Sequence, residues 1–469
     1  MGRRRDIFAW ARGLVLLMGL GSLWAQGPAP DPRSVALAGA TNVVAEGIHA
    51  VGFNPARLAY STKEFSMNLG ALTFGLENNM LSVENYNLVN GADFIDTISA
   101  DYVDKNEFLD GLPLEGLRLK TSLHLPMPGI NWARGTTAFS SDVVIYGDLG
   151  FPKALFELLM QGNPVGQRLE LDLDEEMLGV AEWGFSFAVP AGNLAYGFTL
   201  KYLQGLFYVG IDPDSSSGFF STDPTGFDGS GRYLLRRAVG GSGFGLDFGL
   251  ASAEVNGYSF GISLINALGS IRWQGPSLTK DLFGESLEAA LGFRDNEYLL
   301  YTYRVNNVTA AEFLQEVPLD SLFEYESYPV VETEDGLVRS DTLTNPEFED
   351  LDQITTPFVI DYPALLRLGV SKRFEDTALL TAELVAGFQD RLWSSQGWQL
   401  AVGLEIVRTP SFPLRMGLRY GGAENQQLGI GFGLHTGPLQ FDFAMAFHNG
   451  LWLHTTKGIS IALGLTLVR

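Results

Sequence analysis

The chain has 469 residues, with 54 acidic against 31 basic side chains, a net charge of −23, and no cysteine. That balance excludes a nucleic-acid binder, which needs a basic face, and the missing cysteine excludes disulfides and thiolate metal sites. With 46% hydrophobic and 12% aromatic residues, it is no disordered acidic chain either.

Residues 1–25 read as a secretory signal peptide. Arg3, Arg4 and Arg5 form a positive n-region, Gly13 to Leu23 is a short apolar run, and Ala25 precedes Gln26 at a cleavage point. The leader carries a net +3 from Arg3, Arg4, Arg5, Arg12 and Asp6, so the remainder is near −26. No later apolar run reaches the ~18 residues of a membrane helix. An exported, aromatic-rich chain without spanning helices leaves a large secreted β protein or an outer-membrane barrel.

The stretch GIHAVGFNPARLAY (47–60) has no alternation, and Asn54-Pro55-Ala56 punctuates it. Proline excludes the helical region for the residue before it but can open a new turn, which Asn54 can cap. From about residue 63 the period becomes two. Leu117, Leu119, Leu123 and Leu125 oppose Arg118, Lys120, Ser122 and His124, and the segments 182–189 and 194–202 flank a Pro-Ala-Gly-Asn turn. Strands are also expected at 244–250, 258–264, 287–293 and 298–305. Residues 152–163 have helical spacing instead.

The last third alternates most strictly. In GISIALGLTLVR (458–469) five aliphatic residues share one face against Ser460, Ala462, Gly464 and Thr466, and the segments at 398, 413, 428 and 438 repeat the scheme. A soluble sandwich backs its apolar face with solvated lysine, glutamate and threonine. Here the other face is glycine, alanine and singly spaced charge, which suits a crowded interior, so the apolar face meets lipid and the sheet must close. The expected fold is all-β: a transmembrane antiparallel outer-membrane barrel of roughly 14 strands, 14 to 16 by direct count. Trp183, Tyr202, Tyr208, Trp273, Trp398, Tyr420 and Trp452 are expected in aromatic girdles.

The parity sends Arg367, Glu383, Glu405, Arg415 and Arg419 inward as a candidate inter-strand charge ladder, with Lys201 and Asp247 as weaker members. Residues 312–352 hold thirteen acidic side chains and one base, Arg339; they are expected to form an external loop, either solvated or bridging divalent ions at lipopolysaccharide. GYSFG (257–261) matches a nucleophile motif, but Ser259 lies in an alternating strand rather than at a strand–helix elbow. His49, His124, His435, His448 and His454 lack metal-ligand spacing; His448 and His454 are expected to be exposed. Neither catalysis, a cofactor nor a metal is expected.

SVALAGATNVVAEGIHAVGFNPARLA (34–59) resembles the N-terminal signature of FadL-type outer-membrane proteins and their secretion-associated relatives, with Ala38-Gly39-Ala40 as the small-residue turn and Asn54-Pro55-Ala56 as the closing triplet. LKYLQG (200–205), SGFGLDFGL (242–250), LINALGSIRW (264–273), YPALLRLGVSK (362–372) and PLRMGLRYGG (413–422) follow in the family's order. The segments 99–112 and 150–163 look more like an uncharacterised branch found in Gram-negative envelopes. Arg57 stands where glycine is usual, and the chain ends in Val468-Arg469 rather than an aromatic. The resemblance implies that residues 26–62 form a hatch holding Asn54, Pro55 and Ala56 inside a barrel of residues 63–469. It implies an outer-membrane location and contacts with lipid, lipopolysaccharide and the barrel-assembly machinery. For function it implies passive transport or binding of small hydrophobic molecules; the alternative is an envelope scaffold or secretion-associated protein without transport.

Overall fold

A computed structural model describes residues 30–94, 96–273, 278–293, 297–309, 324–333, 336–339, 357–389, 391–394, 396–422 and 426–469. Fourteen strands close a ring. The first half runs β1 (Phe65–Asn78), β2 (Leu117–Pro126), β3 (Thr137–Phe151), β4 (Asp174–Ala191), β5 (Leu194–Ile211), β6 (Ser242–Ser252) and β7 (Tyr258–Ile265). The second runs β8 (Leu365–Phe374), β9 (Ala378–Gly387), β10 (Gly397–Ile406), β11 (Leu414–Gly421), β12 (Gln426–Thr436), β13 (Leu439–His448) and β14 (Gly458–Val468). Each pairs antiparallel with the next, and β1 pairs with β14 from Ser66↔Val468 to Glu77↔Gly458. The Phe65 and Arg469 backbones bond to each other at 2.9 and 3.1 Å. Closure leaves no sheet edge in the bilayer.

Alternation decides which side chains face lipid. On β10, Leu400, Val402, Leu404 and Ile406 are exposed while Ala401, Gly403 and Glu405 are buried. The band continues through Leu414, Met416 and Leu418 on β11 and Leu463 and Leu465 on β14. Trp398, Tyr420 and Trp452 are exposed, as girdle residues are. Tyr208 and Trp273 correct that expectation: both are buried in an interior cluster.

One end of the barrel has short turns, such as Gly192-Asn193 between β4 and β5; the other has long connections, including that from β7 to β8. Short turns mark the periplasmic end of such barrels and long loops the extracellular end. The helix Lys153–Gln161 occupies the expected helical segment. Two expectations fail on the β7–β8 connection. Residues 287–291 belong to the helix Leu278–Leu291 and 292–293 follow it, since glutamate, alanine and leucine favour helix over a short accidental alternation. The strand Glu297–Val308 exists but lies outside the ring, pairing with Phe227–Val239 and Glu324–Thr333 in an extracellular sheet that continues from the end of β5. Of the acidic segment 312–352, the described parts are strands Glu324–Thr333 and Gly336–Arg339, a hairpin rather than a plain loop. The rest lies outside the described residues.

Candidate hatch and lumen site

Residues 30–60 pack inside the barrel at its periplasmic half. Helix α1 (Pro32–Ala36) opens with a reciprocal cap: Asp31 accepts from the Ser34 amide at 2.7 Å, and Ser34 Oγ accepts from the Asp31 amide at 2.9 Å. The chain then reverses at Ala38 and Gly39, with φ of 51° and 90°. A 3-10 turn, Pro55–Tyr60, closes the segment, with Asn54 Oδ1 accepting from the Ala56 amide at 3.1 Å. The triplet therefore breaks one direction and caps the next, as proline and asparagine are suited to do.

The glycines of the inward face give this segment room. A side chain at Gly197 on β5 would run into the Pro55–Ala56 backbone, and one at Gly249 on β6 into Asn54. Gly417 on β11 and Gly429 on β12 stand in the same relation to Leu37 and Val35. Glycine on these strands is thus a condition for backbone-to-backbone contact with the hatch.

Two polar clusters tie wall to hatch, and a third braces the wall alone. At mid-depth the Arg367 Nε donates to Glu383 Oε1 at 2.5 Å, with both side chains fully buried. Arg367 Nη2 also donates to the Gly39 carbonyl at 2.8 Å, and the Asn42 amide donates to Glu383 Oε2 at 2.8 Å. The Asn42 side chain donates to the Gly261 and Arg367 carbonyls at 3.2 and 3.0 Å, and Asn54 donates to Asn42 Oδ1 at 2.7 Å and to the Leu250 carbonyl at 3.1 Å. Asn42 and Asn54 form a hub joining hatch to β6, β7, β8 and β9.

Nearer the periplasm, Glu405 lies directly across from Arg415 and accepts from its Nε at 2.7 Å. Its other oxygen takes a bond from Arg33 of the hatch, whose Nη1 donates to the Val44 carbonyl at 2.7 Å. Arg415 reaches on to Asp442, which His435 approaches at 3.2 Å. Beside them His49 Nδ1 sits 3.2 Å from Asp31. Burial would push the Asp31 carboxyl up, but the His49 charge and hydrogen bond hold it below its ordinary value. Burial would likewise lower His49, and Asp31 outweighs that and raises it. A cavity of about 460 Å³ opens beside this cluster at the periplasmic mouth.

The third cluster spans β4 to β7. Lys201 lies 3.1 Å from Asp247 and 3.7 Å from Glu182, and its Nζ donates to Asn266 Oδ1 at 2.8 Å. Glu182 accepts from the Tyr362 hydroxyl. Of the residues singled out in the sequence, Arg367 and Glu383, Glu405 and Arg415, and Lys201 and Asp247 come together as pairs; Arg419 instead bonds Gln399 at 2.8 Å and Gln427 at 2.6 Å. The pairs are separate clusters, of which Arg367–Glu383 and Glu405–Arg415 are braced by the hatch, not one continuous ladder. Arg33 and Asn42 were missed, since only the folded hatch shows which wall positions it meets, and Glu182 and Asp442 were missed as partners of Lys201 and Arg415 because cross-strand register is not legible in the sequence. Ser259 is buried within β7. His448 corrects its expectation: it is fully buried and bonds Ser460 Oγ at 2.7 Å, while His454 is exposed. Among the described residues no group of three or more His, Asp or Glu could hold a metal ion.

Above the hatch the interior turns aromatic. Trp393 packs on Tyr146 and Tyr362 with ring centroids 4.5 Å apart in both cases. Trp273 stacks on Phe358 at 6.2 Å and neighbours Tyr208 at 5.9 Å, and Tyr298 meets Phe358 edge-on at 5.7 Å. Leu178, Val180, Leu203 and Ile265 from the wall complete the cluster. The indole nitrogens of Trp273 and Trp393 and the Tyr298 hydroxyl are buried without a hydrogen-bond partner among the described residues.

A family of unknown function (DUF5723) matches residues 55–228. No curated protein matches the chain. Solved structures similar in shape include the Pseudomonas putida toluene transporter TodX, 11% identical with a TM-score of 0.48, covering 94% of this chain and 99% of that one. The Ralstonia pickettii toluene transporter TbuX is 13% identical with a TM-score of 0.48, at 94% and 98% coverage. A Pseudomonas aeruginosa FadL homologue, of the type that the sequence resembles, is 13% identical with a TM-score of 0.48, at 95% and 99% coverage.

Proposed function

We propose that the chain is a non-enzymatic outer-membrane barrel that binds small hydrophobic molecules in its aromatic interior and admits them past the hatch. The observation that carries this reading is the apolar cluster around Trp273, Tyr298, Phe358 and Trp393, built at the extracellular end of the barrel from wall residues and the β7–β8 and β9–β10 connections. A water-filled pore is lined by polar groups there. An apolar site with a few unpaired donors is instead what a small apolar ligand with at most one acceptor requires. The sequence resemblance to FadL-type proteins agrees with it.

The test is quenching of tryptophan fluorescence by bromobenzene in the purified, detergent-solubilised barrel. Saturable quenching that weakens when Trp273 or Trp393 is replaced by leucine supports the reading; purely linear quenching, equal in both variants, removes it. A second reading, an envelope scaffold without transport, is favoured by one observation: the hatch meets the wall backbone-to-backbone on β5, β6, β11 and β12, which suits a fixed plug. Linear quenching together with an undiminished melting transition in the tryptophan variants would leave that scaffold as the better account.

A further inference from the structure

The extracellular sheet holds a cleft of about 560 Å³ whose chemistry is unlike that of the aromatic interior. Strand register shows why. Arg232 pairs with Thr302, and in the next row Phe219, Ser230, Arg304 and Glu324 lie across from one another, so these side chains share one face. The opposite parity carries Gly231 and Tyr303, with the ring of Tyr303 lying over the glycine. One face is thus packed and the other left polar.

Arg232 and Arg304 are both exposed on the polar face, and among the described residues neither has an ion-pair or hydrogen-bond partner. The lining sets three guanidiniums, Arg168, Arg232 and Arg304, among three carboxylates, Glu170, Glu324 and Glu326; Glu170 holds Arg168, so among the described residues Arg232 and Arg304 are left to meet an anion, and guanidinium forks suit carboxylate and phosphate. The rest of the lining is hydroxyl and carboxylate, with Phe219 as its apolar floor and Arg168 3.5 Å above that ring. A second cavity of about 440 Å³ shares Arg232 and Thr302 and continues past Tyr328, over whose ring Arg339 stands at 4.3 Å. The groove therefore has length for more than one ring. Carboxylates and hydroxyls paired with ring faces recognise polyols; a small apolar molecule would leave them all unmatched.

We propose that this groove binds an acidic oligosaccharide: its carboxylate or phosphate lies between Arg232 and Arg304, its ring hydroxyls meet Glu324, Ser230 and Thr302, and one ring packs against the Arg168–Phe219 stack. The cleft itself shares no lining residue with the aromatic cluster, and only the second cavity touches it, through Leu300 and Val330, so replacing Arg232 and Arg304 leaves Trp273 and Trp393 in place for hydrophobic molecules. The experiment is calorimetric titration of the detergent-solubilised full chain with trigalacturonate, maltotriose, glucose 6-phosphate and inorganic phosphate. The double variant Arg232→Gln/Arg304→Gln and the control Arg134→Gln, at a periplasmic turn, are titrated alongside. Trigalacturonate should bind at least tenfold more tightly than maltotriose and should lose at least tenfold in affinity in the double variant but not in the control. Tighter binding of glucose 6-phosphate than of inorganic phosphate identifies a phosphorylated sugar as an alternative source of the same anion. The proposal is overturned by no trigalacturonate binding, by maltotriose binding equally well, by phosphate alone matching both sugars, or by an unaffected double variant. Each variant's thermal transition is measured in parallel, so a lost titration counts only for a folded barrel.

Discussion

Glu405 joins wall to hatch through buried ion pairs on both of its oxygens. One oxygen meets Arg415 of its own wall, the other Arg33 of the hatch, and the side chain is nearly wholly buried. Removing one partner of a buried pair leaves an uncompensated charge, at a cost of about 3–5 kcal/mol. Glu405→Ala should therefore lower the thermal transition of the detergent-solubilised barrel well beyond Glu254→Ala, whose ion pair with Arg373 is partly exposed; equal shifts would show that the cluster only solvates. A pH response belongs to Asp31 and His49. His49 is raised above 6.5, so its contribution is fully present below pH 6.5 and is lost as pH rises through its folded value. Asp31 is lowered below 3.8, so its contribution is present above pH 3.8 and is lost as pH falls through its folded value. The contact is thus strongest between those limits. Protease cleavage within residues 30–62 should increase as pH is taken from 6 to 9, and His49→Gln should flatten that rise; an equal rise in the variant would assign it to other groups.

At the scale of elements, the strands of the last third were legible because one face must be apolar for lipid, and the period of two shows that directly. The strands Thr137–Phe151 and Phe227–Val239 were not set apart. In the first, Val144 and Tyr146 face an apolar interior, so both faces are hydrophobic and the alternation disappears. The same cause misplaced Tyr208 and Trp273: an aromatic near a strand end reads as girdle or core alike until its neighbours are known. The inward charges were found by parity, but their partners on the hatch were not, because contacts between residues such as Arg33 and Glu405 leave no periodic trace. Glycine on the inward face was legible as crowding; what crowds it was suggested by resemblance only. That contact yields a prediction at this scale. Gly417→Val places a branched side chain where the Leu37 backbone lies, and overpacking of this kind costs about 1–3 kcal/mol. The hatch should give way before the β11 ladder does, so the variant should keep its barrel spectrum while residues 30–62 become protease-sensitive. Loss of the barrel itself would mean that wall and hatch fold as one unit.

For the whole molecule, two packed layers follow one another along the barrel: the hydrogen-bonded residues 30–60 towards the periplasmic end and the aromatic cluster towards the extracellular end. They differ in kind. Polar contacts in a buried site hold one geometry, since each lost partner leaves a costly unpaired group, whereas stacked rings can part to admit an apolar molecule and close again with little loss of hydrogen bonding. This order predicts the outcome of removing the hatch. Without residues 31–60, Glu383, Arg367 and Glu405 lose their hatch partners but keep the Arg367–Glu383 and Glu405–Arg415 pairs and gain water, so the barrel should still form with a lowered thermal transition. Its ion conductance in planar bilayers should nevertheless stay small, because the cluster around Trp273 and Trp393 remains across the extracellular half. Adding Trp273→Ala and Trp393→Ala to the deletion should raise the conductance severalfold, while the two alanine substitutions in the intact chain should not, as the hatch still closes the other half. A large conductance from the deletion alone would make the hatch the sole barrier, and the aromatic layer would then line an open path instead of closing it.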